Sequence, residues 1–381
     1  MTTSEVHPRA DADARMALIE LAHCVEPADA VVGRLVQRAG PLEVVDRIRR
    51  GGAGKRLGEG LRARLADSGA PSAEARATAI GARIVTRVDR EWPRQLHDLG
   101  AAAPFAIWVL GAADLRLTLL RSVAMVGARA CTGYGELIAR TWSAALAECS
   151  WTVVSGGAFG IDAAAHRGAL AADGVTACIL AGGVDMPYPR AHEALLARIA
   201  DEGLLVSESP LGIEVRRQRF LSRNRLIAAL TRATVVVEAA ERSGTMATAR
   251  AATEMARPLM AVPGPVTSPA SAGCHRMIGE GEAALVTSAD DIMGLLDLGR
   301  SQASTNPAPR ANRDALSSAE RRLLDAFPAR GAATAERLVS SSGLPASAVW
   351  AGVGVLASAG WITEDPAGWR LVRDRPPPQP S

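Results

Sequence analysis

The chain has 381 residues, 48% of them hydrophobic, and a formal net charge of +3 at pH 7. That length exceeds one ordinary domain and that apolar fraction supports a full core, while so small a charge gives no argument for a polyanion partner from total basicity. The five cysteines, Cys24, Cys131, Cys149, Cys178 and Cys274, are odd in number and scattered, which excludes a paired zinc or disulfide framework and suits reduced thiols in a cytoplasm.

Residues 1–15 are polar, carry acids and lack a signal-peptide core, so they are expected to be frayed. No apolar run is long enough to span a bilayer, and a soluble cytoplasmic protein with no membrane partner is expected. Over 16–82 the stretches RMALIELAHC, DAVVGRLVQRAG and PLEVVDRIRRGG have helical periodicity and end at glycine or proline, predicting a small helical module of SAM or helix-hairpin type. Residues 83–111, with DREWPRQLHDLG and PFAIWVLG, read as a joining segment.

The period then changes. Over 112–297 the runs SVAMVG, WTVVSG, TACILAGG, GLLVS, ATVVVEA and PLMAVPG alternate with helical stretches. Such alternation predicts an α/β fold: a doubly wound, mainly parallel sheet whose strands are buried on both faces. A polar linker follows at 298–315. Residues 316–373 predict three short helices and a hairpin, a winged-helix outline with Val349, Val353, Val355 and Leu356 on the apolar face of its third helix. Residues 374–381, ending RPPPQPS, are expected to be a disordered tail.

In a doubly wound sheet ligands bind beyond the carboxyl ends of the strands. There stand GARACTGYG, residues 127–135, and SGGAFGID, residues 155–162, whose glycines allow backbone N–H groups and the positive helix end to face an anion. The glycines could equally serve tight turns alone. Their spacing is not that of a dinucleotide fingerprint. The sole lysine, Lys55, lies in GGAGKRLGEG, where arginine replaces the hydroxyl a Walker loop needs and no strand precedes it.

A third stretch, EVRRQRFLSRNRLIAALTR at 214–232, holds six arginines against one glutamate and includes Phe220. Cations for phosphates and a ring for a splayed base are the ingredients of single-strand recognition; the competing reading is an amphipathic helix with a solvated arginine face and Phe220 in the core. Asp162 and His166, four residues apart, are expected to cap the loop and close a structural hydrogen bond rather than form an acid–base pair. Asp185 in AGGVDMPYP and Glu208 in SESP pose the same choice. No GxSxG elbow surrounds Ser155, and no catalytic triad, metal site or cofactor site is expected.

The ordered motifs VAMVGAR, SGGAFGIDAAAHRGAL, GGVDMPYP, SESPLG, FLSRNRLIAAL, VVVEAAERSGTMATA, AVPG and GCHRMIGEGEA resemble DNA-processing protein A, the DprA or Smf family, closely over 123–290 and more loosely outside it. The resemblance implies an extended Rossmann-like domain that binds single-stranded DNA, a homodimer built through it, and delivery of the strand to the RecA recombinase during natural transformation or related recombination; a mediator without catalytic chemistry of its own is expected. The family's GSR arginine falls on Arg129, beside Gly127. Its SGxAxGID loop falls on Ser155, Gly156, Gly160 and Asp162, and its F-x-x-R-N group on Phe220, Arg223 and Asn224. Arg225, with Ser243, Gly244 and Thr245 of RSGTMATA, completes the expected DNA contacts. Ala128, Leu221 and His275 depart from the residues usual in the family. Two alternatives stand beside this reading: a nucleotide-binding sensor, and a nucleoside-monophosphate phosphoribohydrolase. The hydrolase signature needs a glutamate where this chain has Thr248.

Overall fold

The computed structural model describes residues 8–51, 59–297, 316–328, 331–358, 361–365 and 367–372. The chain divides into two units, 1–300 and 301–381. Lys55, most of its glycine-rich stretch, the linker at 298–315 and the C-terminal tail lie outside the described residues.

The first unit opens with helices α1 (Pro8–Cys24), α2 (Ala30–Ala39), α3 (Pro41–Arg49), α4 (Glu59–Ala66) and α5 (Ala73–Ala79). Helix α1 starts at Pro8, so the expectation of a frayed segment through residue 15 is corrected: proline suits a first helical turn, and Arg15 bonds to Asp89 and to the Ile84 carbonyl. Ala17, Leu21, Val32, Val36, Val44, Ile48 and Leu65 form a small core of their own. Ile19 of α1 joins a different core with Ala82, Ile84 and Trp108, so the helical module is packed onto the sheet.

Nine strands build that sheet: β1 (Ala82–Thr86), β2 (Ala106–Leu110), β3 (Ser122–Val126), β4 (Thr152–Ser155), β5 (Thr176–Leu180), β6 (Leu204–Ser207), β7 (Ala233–Val236), β8 (Leu259–Ala261) and β9 (Ala284–Leu285). Their order is β1-β2-β6-β5-β4-β3-β7-β8-β9. The strands from β6 to β9 run parallel, and β2 adds to β6 antiparallel with β1 beyond it. The sheet is thus wider than the alternation predicts. Residues 83–111, read as a joining segment, supply its antiparallel edge, because RIV and AIWVL are strand-forming runs that a hairpin-like return can pair.

Between the strands lie α6 (Leu115–Leu120), α7 (Gly133–Glu148), α8 (Ile161–Ala171), α9 (Glu193–Glu202), α10 (Arg217–Leu230), α11 (Thr245–Glu254), α12 (Ala272–Gly279) and α13 (Ala289–Asp297). Every residue of β3 to β8 is buried, as helices on both faces require. In β3 the side chains alternate: Ala124 and Val126 pack with Leu226 and Leu230 of α10, whereas Val123 and Met125 pack with Leu146 of α7 and Ala165 of α8. The chain winds outward from β3 through β4, β5 and β6, then returns to β7 on the other side of β3. This reversal makes the carboxyl ends of β3 and β7 the topological switch point.

The second unit contains α14 (Ser318–Asp325), α15 (Ala335–Ser342) and α16 (Ala346–Ser358), followed by the antiparallel pair β10 (Ile362–Asp365) and β11 (Gly368–Leu371). Ser317 and Glu320 form a reciprocal cap at α14. Val349, Val353 and Leu356 are buried with Leu323, Leu338 and Ile362. Val355 is 42% exposed, which corrects its assignment to the apolar face; it stands two residues from Val353, nearly opposite on a helix. Among the described residues no single helix is long and apolar enough to cross a membrane.

Candidate functional site

A cleft of about 1000 Å³ opens at the switch point. The loop after β3 lines it with Gly127, Ala128 and Arg129, the loop after β7 with Ser243 and Gly244, and α10 with Arg217, Phe220 and Asn224. Sequence positions a hundred residues apart meet here because β3 and β7 are neighbours.

The loop after β4 is drawn inward by its own carboxylate. Asp162 Oδ2 accepts the Gly156 and Ala158 N–H groups, each at 3.2 Å, and the Ser155 hydroxyl donates to the Met125 carbonyl at 2.7 Å. Gly160 has φ +75°, and a Cβ there would lie 2.2 Å from the Ala128 carbonyl oxygen, so the two glycine loops touch backbone to backbone. Burial pushes the Asp162 carboxyl above its usual range, and the Arg223 guanidinium pulls against that shift. His166 is fully buried; the Thr176 hydroxyl donates to the Val153 carbonyl, so it accepts from His166 Nδ1–H at 2.7 Å. Burial, helped by the Arg223 charge, lowers His166 to about 3. A neutral imidazole in a structural bond and a loop-capping aspartate are what the sequence leads one to expect of this pair.

The loop after β3 also has an internal anion. The carboxylate of Glu238, 2% exposed, accepts the Thr132 N–H at 2.9 Å and the Thr132 hydroxyl at 2.5 Å, and Thr132 in turn caps α7 through the Gly135 N–H. Of the two helix ends expected to receive phosphate, that of α7 is capped by Thr132, which Glu238 holds, whereas that of α8 has no side-chain cap, Asp162 taking N–H groups of the loop before it. The end of α11 likewise has no side-chain cap. The Ser243 hydroxyl beside it is buried without a hydrogen-bond partner, and Thr245 donates to the Gly127 carbonyl at 2.9 Å, tying α11 to the loop after β3. An uncapped helix end facing a cleft is an anion site by its N–H groups and dipole.

The arginines of α10 divide. Arg223, 6% exposed, is turned into the fold, where its guanidinium donates to the carbonyls of Gly156 (2.7 Å) and Ile179. Burial lowers its pKa, with Asp162 acting the other way. Arg225 lies outside the cleft and grips both oxygens of Glu208 at 2.7 Å, each side chain 11% exposed. Arg219 pairs with Glu26 of the helical module at 3.0 Å. Arg223 and Arg225, expected to neutralise phosphates, thus each face partners of the chain itself, although Arg223 also lines the cleft, 6.0 Å from the Phe220 ring centroid; a helix must turn some of its residues inward. Asn224 likewise is engaged, accepting from Arg223 Nε and donating to the Gly244 carbonyl, each at 3.3 Å, which holds the start of α11. Asp185 braces a turn by accepting the Gly212 N–H at 2.8 Å.

Arg129 and Phe220 do meet at the cleft. The exposed Arg129 places its guanidinium 4.9 Å from the Phe220 ring centroid, and Tyr188 lies at 5.7 Å on the same ring, tilted by 59°. Phe220 is only partly buried and is not in the core. Tyr188 and Glu238 received no role from the sequence although both stand in quoted motifs, GGVDMPYP and VVVEAAERSG; an aromatic residue before proline at a strand end was the available signal for the first. Among the described residues no cluster of three or more His, Cys, Asp or Glu is arranged to hold a metal ion.

Fold and site together define an extended Rossmann-like protein with an aromatic, arginine-rimmed cleft and, at the switch point, a helix end without a side-chain cap. Residues 83–297 match the family described as DNA recombination-mediator protein A. A Mycobacterium tuberculosis (strain ATCC 25618 / H37Rv) protein named as a DNA processing protein DprA is 44% identical over 363 residues, 93% of each chain. The X-ray structure of DNA processing protein A from Streptococcus pneumoniae aligns over 74% of this chain and 97% of its own, at 28% identity and a TM-score of 0.63. A structure of DNA processing protein A from Helicobacter pylori, described for its unique single-stranded DNA binding mode, aligns over 58% of this chain and 99% of its own, at 25% identity and a TM-score of 0.52. The chain belongs to the DNA recombination-mediator protein A family, the DprA/Smf family.

Proposed function

We propose that the protein binds single-stranded DNA in the switch-point cleft and acts as a recombination mediator. The observation that carries this reading is the Arg129–Phe220–Tyr188 cluster. An unpaired base stacks on Phe220 and Tyr188, Arg129 faces the adjoining phosphate, and the α11 N-terminus with Ser243 receives another. Stacking on this floor requires a base free of its partner, so duplex is a poor ligand. These contacts read backbone and ring faces, which makes binding largely independent of sequence.

The mediator hands the strand to the RecA recombinase, as a homodimer that lengthens the tract it protects, in natural transformation or related recombination. The C-terminal unit, with its three helices and hairpin, serves as a winged-helix module. No catalytic chemistry belongs to this reading. Asp162 is the single carboxylate among the cleft-lining residues and it is engaged by the Gly156 and Ala158 N–H groups, while Thr248 lines the cleft where a phosphoribohydrolase needs a glutamate.

The test is fluorescence anisotropy of labelled oligo-dT across a salt series, with duplex competitor. Salt-sensitive binding that duplex fails to displace is expected. Absence of oligo-dT binding at low salt overturns the reading.

A further inference from the structure

We propose that the groove beside Phe159 is a second base-stacking subsite, on which a single strand seated at Phe220 continues; the inference rests on the DNA-binding reading above. The Phe159 ring, at the tip of the loop after β4, is 48% exposed. It is held edge to face by His192, centroids 4.6 Å apart, and His192 is itself buried, with Nδ1 at 3.1 Å from the Gly157 carbonyl oxygen. A lone exposed apolar residue is ordinary. This one stands in a groove of about 360 Å³ with Cys131, Glu136, Gly160, Arg167 and His192, ample for one nucleotide.

The groove adjoins the main cleft through both glycine loops. Arg129 and Ala130 line the cleft and Cys131 the groove; Ala158 lines the cleft and Phe159 the groove. Consecutive Cα atoms are about 3.8 Å apart, so the two hollows are separated by the step from one residue to the next, a distance that one nucleotide of an extended strand spans. Arg167 is exposed and has no ion-pair partner among the described residues, while Glu136 stands on the other wall. One cation and one carboxylate offset each other, so the groove contributes ring contact rather than charge.

The experiment compares wild type, Phe159→Ala and Phe159→Trp on oligo-dT of about 16 nucleotides and on the same backbone carrying abasic sites, over a salt series. Phe159→Ala is expected to bind oligo-dT about 5- to 150-fold more weakly, with unchanged salt slope and little change on the abasic strand, and Phe159→Trp to restore affinity. Unaltered oligo-dT affinity in Phe159→Ala overturns the subsite while the cleft stands. Equal losses for Ala and Trp, or an equal loss on the abasic strand, also overturn it, since loop shape is then the cause. Failure of wild type to bind oligo-dT overturns the functional reading itself, and the subsite with it.

Discussion

Arg129 holds its guanidinium 4.9 Å from the Phe220 ring centroid, joining the loop after β3 to helix α10 in one surface. Another neighbour of the ring, Tyr188, comes from the chain after β5, so three crossovers of the sheet supply this one floor. Removing either member should have a distinct effect. Phe220→Ala is expected to cost about 1–3 kcal/mol of oligo-dT binding with little change in salt dependence. Arg129→Ala should weaken binding and reduce the salt slope by about one. Matching salt behaviour in the two variants would remove the division between stacking and charge.

Arg223 is expected to behave as a structural residue. Arg223→Ala leaves the Gly156 and Ile179 carbonyls without their donor and the buried Asp162 without a neighbouring positive charge. A loss of about 3–5 kcal/mol of stability follows from breaking such buried pairing, read by urea denaturation. The exposed Arg217 lines the cleft, and Arg217→Ala should change stability by less than about 0.5 kcal/mol while weakening oligo-dT binding. Normal stability in Arg223→Ala would return this side chain to the list of phosphate contacts.

Two glycines of the site should differ in their tolerance of alanine. At Gly160, φ is +75° and a Cβ would fall 2.2 Å from the Ala128 carbonyl oxygen. Gly160→Ala is expected to destabilise by at least about 1–3 kcal/mol through backbone strain alone. Gly244 has φ −61°, and a Cβ there meets nothing within 4 Å. Gly244→Ala should stay within about 0.5 kcal/mol of wild type in the same denaturation experiment.

His166 makes stability depend on pH. Burial lowers it from 6.5 to about 3 in the folded protein. The unfolded chain therefore takes up a proton as the pH falls through 6.5 and the folded chain does not until about 3, so this contribution is complete above 6.5 and is lost on acidification. The loss is about 1.4 kcal/mol for each pH unit within that window. Asp162 and Glu208, raised by burial, act in the opposite sense, which makes the comparison with His166→Gln the informative one. Between about pH 7.5 and about pH 5.5 wild type should lose about 1.4 kcal/mol relative to that variant. A constant gap would mean that His166 takes up its proton in the fold as it does in the unfolded chain.

The six apolar runs of the central block became β3 to β8 because strands covered on both faces need apolar residues at every position, and that requirement is written locally. The glycine loops were legible for the same reason: a strand turning directly into a helix leaves room only for backbone, as Gly127 against Ile161 and Gly160 against Ala128 demonstrate. Family motifs located Arg129 and Phe220, which do share the cleft. The edge pair β1 and β2 was missed because two strands separated by a long turn give no crossover signal. Nor could composition divide the arginines of 214–232. Whether Arg217 faces the cleft, Arg223 the Gly156 carbonyl or Arg225 the Glu208 carboxylate depends on partners 17 to 67 residues away, and only the packed sheet sets those distances. The same holds for the helix ends. The sequence by itself determined that strand-end loops would offer N–H groups to an anion and that Asp162 would take those of its own loop; the tertiary structure decided that Glu238 holds Thr132, the cap of α7, because a carboxylate from a neighbouring strand end can reach that loop only where the fold sets the two strands side by side, while α8 and α11 keep no side-chain cap.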